Sequence, residues 1–117
     1  ELYIPSSESD NIQSEIIKLT ADKKIDAIIC MDPQITVLIH SLLLNLDYKI
    51  PDDIALLGFT DGPMYEFIKP SITCVNQHGE YLGKHSAKIL IDRINNKLGL
   101  DFINEKVPTS LIIRDST

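Results

Sequence analysis

The sequence predicts an α/β domain in which a mostly parallel sheet is flanked by helices, and three observations carry that reading. Short apolar runs at Ile25–Met31, Ile54–Leu57, Ile72–Val75 and Val107–Ile113 have the length of strands. Segments with helical spacing alternate with them, as in chains that build parallel sheets. The runs at Ile25–Met31 and Ile54–Leu57 also lack polar alternation, which predicts strands covered on both faces.

In order, Leu2–Ile4 reads as the end of a strand and Pro5-Ser6-Ser7 as a turn. A helix follows, with Ser7 and Asp10 as a capping pair, Ile12, Ile16 and Leu19 on one face, and Lys23-Lys24 at its basic end. After the strand Ile25–Met31, Asp32 is placed to cap a second helix and Pro33 to occupy its first turn. That helix runs to about Asn45 with Ile35, Leu38, Ile39, Leu42 and Leu46 in one stripe, while Val37 and Leu44 lie off it. Apolar residues on more than one face predict a second contact besides the core, either more core or another subunit.

The central stretch begins with the turn Pro51-Asp52-Asp53, continues through Ile54–Leu57 and stops at Gly58, before Thr60, Asp61 and the turn residues Gly62-Pro63. Gly62–Lys69 is a loop or short helix carrying Met64, Tyr65, Phe67 and Ile68. Past Ile72–Val75, the stretch Asn76–Gly79 opens a third helix, expected to turn Leu82, Ala87, Leu90 and Ile94 inward and to end near Asn95. The strand Val107–Ile113 and a polar tail, Arg114–Thr117, finish the chain. Ligands of open parallel sheets are met at the carboxyl ends of the strands, which puts Thr60 and Asp61 at a candidate site.

Composition limits the partners. The chain has 117 residues, 44% hydrophobic and 24% charged, which is ordinary for one globular domain. Its net charge of −6 is the wrong sign for tracking phosphates, so these residues do not themselves hold DNA. No apolar run is long enough to span a bilayer and the first residues lack the pattern of a signal peptide. Cys30 and Cys74 fall inside strands without a Cys or His partner at metal-ligand spacing, which suits reduced thiols in a cytoplasmic protein.

Four segments carry a resemblance. Asp26-Ala27-Ile28-Ile29-Cys30, Pro51-Asp52-Asp53-Ile54-Ala55-Leu56-Leu57-Gly58-Phe59-Thr60-Asp61, Pro70-Ser71-Ile72-Thr73-Cys74-Val75-Asn76-Gln77 and the Pro108-Thr109…Arg114-Asp115-Ser116 ending stand in the order and spacing of a known pattern. The pattern resembles that of the lactose-repressor/galactose-repressor family of transcription regulators, from about Ile25 to the last residue. The resemblance implies a periplasmic-binding-protein-like sensor fold of two α/β lobes that close on a ligand. Residues 1–72 and 107–117 would then belong to the carboxyl-terminal lobe. Residues 74–104 would be a crossover segment packing on the other lobe, and the DNA-binding domain would lie outside this chain.

The resemblance also implies a site. Asp32 stands where the family has an Asn or Ser that bonds the effector, and Gln77 matches the crossover Gln that faces the cleft. Thr60 replaces a family Asp that accepts bonds from sugar hydroxyls, and Asp61 beside it is a substitute acceptor or a turn cap. Met31, Met64 and Tyr65 are candidate pocket walls. Ile35, Leu38, Leu42, Leu46 and Phe67 are the candidate contacts of a homodimer.

The function so implied is ligand sensing and dimerisation for a cytoplasmic regulator, with a small effector, a sugar or sugar derivative, modulating operator DNA binding. A solute-binding protein for sugar transport is the alternative, and an interaction domain without a small ligand is a third reading. No phosphate loop, nucleophile elbow or metal-spaced His pair is present, so no enzyme, cofactor or metal is expected, and His40, His78 and His85 are assigned no chemistry.

Overall fold

Ile12 and Ile16, one turn apart, form the buried face of the first helix, α1 (Ser9–Ala21). The structure is a computed structural model that describes residues 9–21, 25–99 and 101–117. The expected strand Leu2–Ile4, the turn after it, the cap at Ser7 and the basic end Lys23-Lys24 lie outside the described residues. Near the end of α1, the buried Thr20 offers its carbonyl to the hydroxyl of Tyr48, 3.0 Å away. That bond ties α1 to the chain leaving the second helix.

The first strand, β1 (Ala27–Cys30), leads into α2 (Pro33–Asn45) as Asp32 and Pro33 predict. Asp32 accepts hydrogen bonds from the N–H groups of Gln34 and Ile35, each at 2.9 Å, and Pro33 fills the first turn. At the far end Asp47 takes φ 61°, and the N–H groups of Asp47 and Tyr48 donate to Leu44 and Leu43 at 3.1 and 3.0 Å. This is a Schellman closure with an Asp in the left-handed position that glycine usually takes.

Three further strands follow: β2 (Ala55–Gly58), β3 (Thr73–Asn76) and, after the helix α3 (Gly79–Ile94), β4 (Ser110–Ile112). They form one sheet in the order β1-β2-β3-β4, with β1, β2 and β3 parallel and β4 antiparallel to β3. Cys30, Gly58 and Cys74 stand side by side across it, so β1 and β2 end level while β3 runs on two residues to Asn76.

α2 packs on β1 and β2 and α1 packs on α2, so the helices load one face of the sheet. The core lies there: Cys30, Leu56, Ile72 and Cys74 from the sheet meet Ile39, Leu42 and Leu43 from α2, with Ile12 and Ile16 behind. Among the described residues the other face is open at the flanks, with Ile29 66% exposed and Leu111 and Ile113 also bare, whereas in the centre Ala55 and Leu57 are half-buried and Thr73 is buried. The expectation of strands covered on both faces is therefore corrected for β1, whose second face is bare, and met only partly by β2.

Two further corrections concern helices. The buried side of α2 is centred on Thr36, Ile39, His40 and Leu43 rather than on the predicted stripe, and Leu38, Leu44 and Leu46 are left exposed. Leu82, Leu90 and Ile94, expected to point inward, are exposed, and α3 has no buried residue. It meets no sheet face among the described residues that could cover it. The molecule is accordingly elongated, 59 × 27 × 20 Å. No described helix is long and apolar enough to cross a membrane.

Candidate functional site

The carboxyl ends of β1, β2 and β3 deliver Asp32, Thr60 with Asp61, and Gln77 to the same edge of the sheet. This is the edge at which open parallel sheets meet their ligands. Register sets the convergence: β1 and β2 end level at Cys30 and Gly58, while β3 runs two residues past Cys74 to Asn76 before releasing Gln77.

Asp32 is exposed and does what an N-cap does, using Oδ1 for both backbone donors. Its second oxygen is not engaged by either bond, so capping and ligand contact are compatible in one side chain. Gln77 and Thr60 are joined directly. Gln77 Nε2 donates to the carbonyl of Phe59 at 2.6 Å and lies 3.5 Å from Thr60 Oγ1. With its amide nitrogen committed, Gln77 has its carbonyl oxygen left to accept.

Asp61, the other candidate acceptor on this loop, is engaged through one oxygen by groups of the chain itself. Its Oδ1 receives Arg114 Nη2 at 3.0 Å and the thiol of Cys74 at 3.3 Å. Arg114 in turn donates through Nη1 to the carbonyl of Ile72 at 2.8 Å and to Cys74 Sγ at 3.1 Å. Burial raises the pKa of the Cys74 thiol, Asp61 raises it further and Arg114 opposes them, so the thiol stays protonated and able to donate. Cys30 is pushed up to about 11 by burial. β2 lies between the two cysteines, a separation of roughly two strand spacings (about 9.5 Å), too wide for a disulfide.

The polar tail continues this ordering role. Ser116, fully buried, donates to the carbonyl of Leu56 at 2.5 Å and accepts from the N–H of Thr73 at 2.8 Å, while its own carbonyl receives the N–H of Leu56 at 2.9 Å. The tail thus laces β2 to β3 beneath their carboxyl ends. Arg114 and Ser116 were visible in the sequence only as letters of a terminal motif. Nothing in their local pattern shows that they reach Asp61 and Leu56, which are more than fifty residues away in sequence.

Of the other candidates, Tyr65 is corrected. It is 1% exposed and lies under Gly58 and Gly62 as part of the core, so it is not a pocket wall. Met31 and Met64 are exposed beside the strand ends. Leu42 is also corrected, because at 8% exposure it is spent on its own core, whereas Leu38, Leu46 and Phe67 are exposed and Ile35 is half-buried. A shallow depression of about 390 Å³ lies at the start of α3, lined by Asn76, His78, Gly79, Glu80, Tyr81 and Lys84, and contains none of the predicted site residues. Among the described residues no cluster of His, Cys, Asp and Glu is arranged to hold a metal ion.

Comparison with known proteins places this geometry. Residues 3–117 match the periplasmic binding protein-like domain. The PurR transcriptional repressor of Vibrio parahaemolyticus is 28% identical over 100 residues, 85% of this chain and 30% of that protein. The ribose operon repressor of Halalkalibacterium halodurans is 38% identical over 69 residues, 59% of this chain and 20% of that protein. The solved structure of a LacI family regulator from Enterococcus faecium with bound ribose superposes with a TM-score of 0.80 at 25% identity, covering 92% of this chain and 40% of that one. The chain therefore spans between a fifth and two fifths of the length of these relatives. It belongs to the periplasmic-binding-protein-like family of domains, in the branch represented by lactose-repressor-type transcription regulators.

Proposed function

We propose that this chain is part of the effector-binding and dimerisation unit of a bacterial transcription regulator, and that its effector is a neutral sugar. The observation that carries the reading is the convergence of Asp32, Thr60 and Gln77 at the carboxyl ends of three parallel strands. Those residues offer a carboxylate, a hydroxyl and an amide carbonyl, groups that accept bonds from sugar hydroxyls. The one arginine at that edge is held by Asp61 and the Ile72 carbonyl, which disfavours a phosphorylated ligand. Relatives with bound ribose support the same ligand class.

In this reading residues 1–72 and 107–117 form one lobe and residues 74–104 cross to a second, whose surface would cover the apolar side of α3. Closure of the two lobes on the sugar would bias the spacing of a DNA-binding domain outside this chain, acting through a cytoplasmic homodimer. Neither a cofactor nor catalysis is required.

The test is calorimetric titration of ribose, glucose, sucrose and cellobiose into the intact regulator, followed by operator binding with and without the sugar that binds. Saturable binding of one sugar that shifts operator affinity is expected. Sugar binding with unchanged operator affinity would favour the transport reading instead.

A further inference from the structure

Thr60 sits on a loop held from both sides. On one side Gln77 grips the Phe59 carbonyl, and on the other Arg114 grips Asp61. The two anchors differ in rigidity. Gln77 lies at the crossover, whereas the Arg114 guanidinium is fixed to β3 by the Ile72 carbonyl and the Cys74 sulfur, and its own backbone N–H donates to Thr73 Oγ1 at 2.9 Å. Its side chain is 15% exposed and that of Asp61 32%, so the pair is partly shielded from water.

We propose that Arg114 is a positioning residue for the effector loop, acting through Asp61 to hold Thr60 at the strand ends. The proposal rests on the reading of that edge as the sugar site. A planar guanidinium suits the task because it spans a carboxylate, a carbonyl and a sulfur at fixed angles, which an ammonium does not. Holding the loop before the ligand arrives removes an ordering cost from binding.

The test uses the intact regulator with the variants Arg114→Met, Arg114→Lys, Asp61→Ala and the double variant Arg114→Met/Asp61→Ala. The first readout needs no ligand. Amide hydrogen exchange at Phe59–Gly62 is expected to rise by about tenfold in Arg114→Met while exchange in α2 stays unchanged, the pattern of a local opening. The second readout is affinity for ribose and cellobiose, expected to weaken by about tenfold in each single variant and no further in the double, because both remove one linkage. Arg114→Lys should recover part of the loss, since the ammonium still meets Asp61. Unchanged loop exchange, equal acceleration in α2, or additive losses would overturn the proposal. Should Arg114→Met not fold, Asp61→Ala carries the same comparison from the more exposed partner. If neither sugar binds the unaltered protein, the sugar-site reading fails, while the exchange result still decides whether Arg114 anchors the loop.

Discussion

A side chain on Gly58 would begin 2.5 Å from Cε2 of Tyr65, so the last residue of β2 is glycine because a tyrosine ring already occupies its side-chain space. Tyr65 is buried and cannot swing outward without leaving the core. Gly58→Ala is therefore expected to destabilise the fold by about 2 kcal/mol, within the usual range for overpacking. The companion variant Gly58→Ala/Tyr65→Leu should lose much less than the two single losses combined. Urea melts of the four proteins decide it, and strict additivity would show that the ring and the glycine do not oppose each other.

Ser116 yields a second prediction. Its hydroxyl serves the Leu56 carbonyl and the Thr73 N–H in a fully buried setting, and Ser116→Ala leaves both without that partner. A loss of roughly 2–4 kcal/mol is expected from two stranded buried groups. A change below the scatter of the melts would mean that water or a backbone shift replaces the hydroxyl.

Asp32 can be divided into its two roles. Asp32→Ala removes the cap and should cost about 1 kcal/mol. Asp32→Asn keeps a capping oxygen but removes the charge, so stability should hold while sugar affinity falls. Equal sugar affinity in the Asn variant would confine Asp32 to capping α2.

How far the sequence could carry the site follows from these cases. Asp32 was legible because a cap, a proline and the following periodicity are neighbours in the chain. The strand ends were legible because Gly58 and Gly62-Pro63 punctuate them. Tyr65 was misread because its burial depends on a missing side chain seven residues earlier, and no local pattern records that complementarity. The outward face of α3 was misread for a related reason. Its apolar spacing is real, but spacing says that a face wants cover without saying whether this chain supplies it.

His40 provides a pH prediction. Its ring Nε2 donates to the Pro70 carbonyl at 3.0 Å, and burial lowers its pKa from the ordinary 6.5, only partly offset by that bond. A depressed histidine contributes stability that is present above the unfolded-state value and lost as pH falls towards the folded one, because the unfolded chain binds the proton first. Melting temperature should therefore begin to decline as pH drops through 6.5. His40→Gln retains a donor for the Pro70 carbonyl and should flatten the decline below pH 6.5. An identical slope in the variant would assign the decline to other groups.

The last prediction concerns the homodimer proposed above. Leu42 is a poor probe of it, since an Asp there would unfold the core that Leu42 fills. Phe67, 77% exposed, and Leu38, on the outer side of α2, are free of that burden. Phe67→Asp and Leu38→Asp are each expected to leave the stability of the isolated subunit within about 0.5 kcal/mol of its original value, the usual span for surface changes. In sedimentation, each should raise the dissociation constant by at least about tenfold, corresponding to 1.4 kcal/mol of lost contact. Should both variants sediment as the unaltered protein does, the exposed apolar side of α2 serves some other contact, and the two chains of the regulator must meet elsewhere.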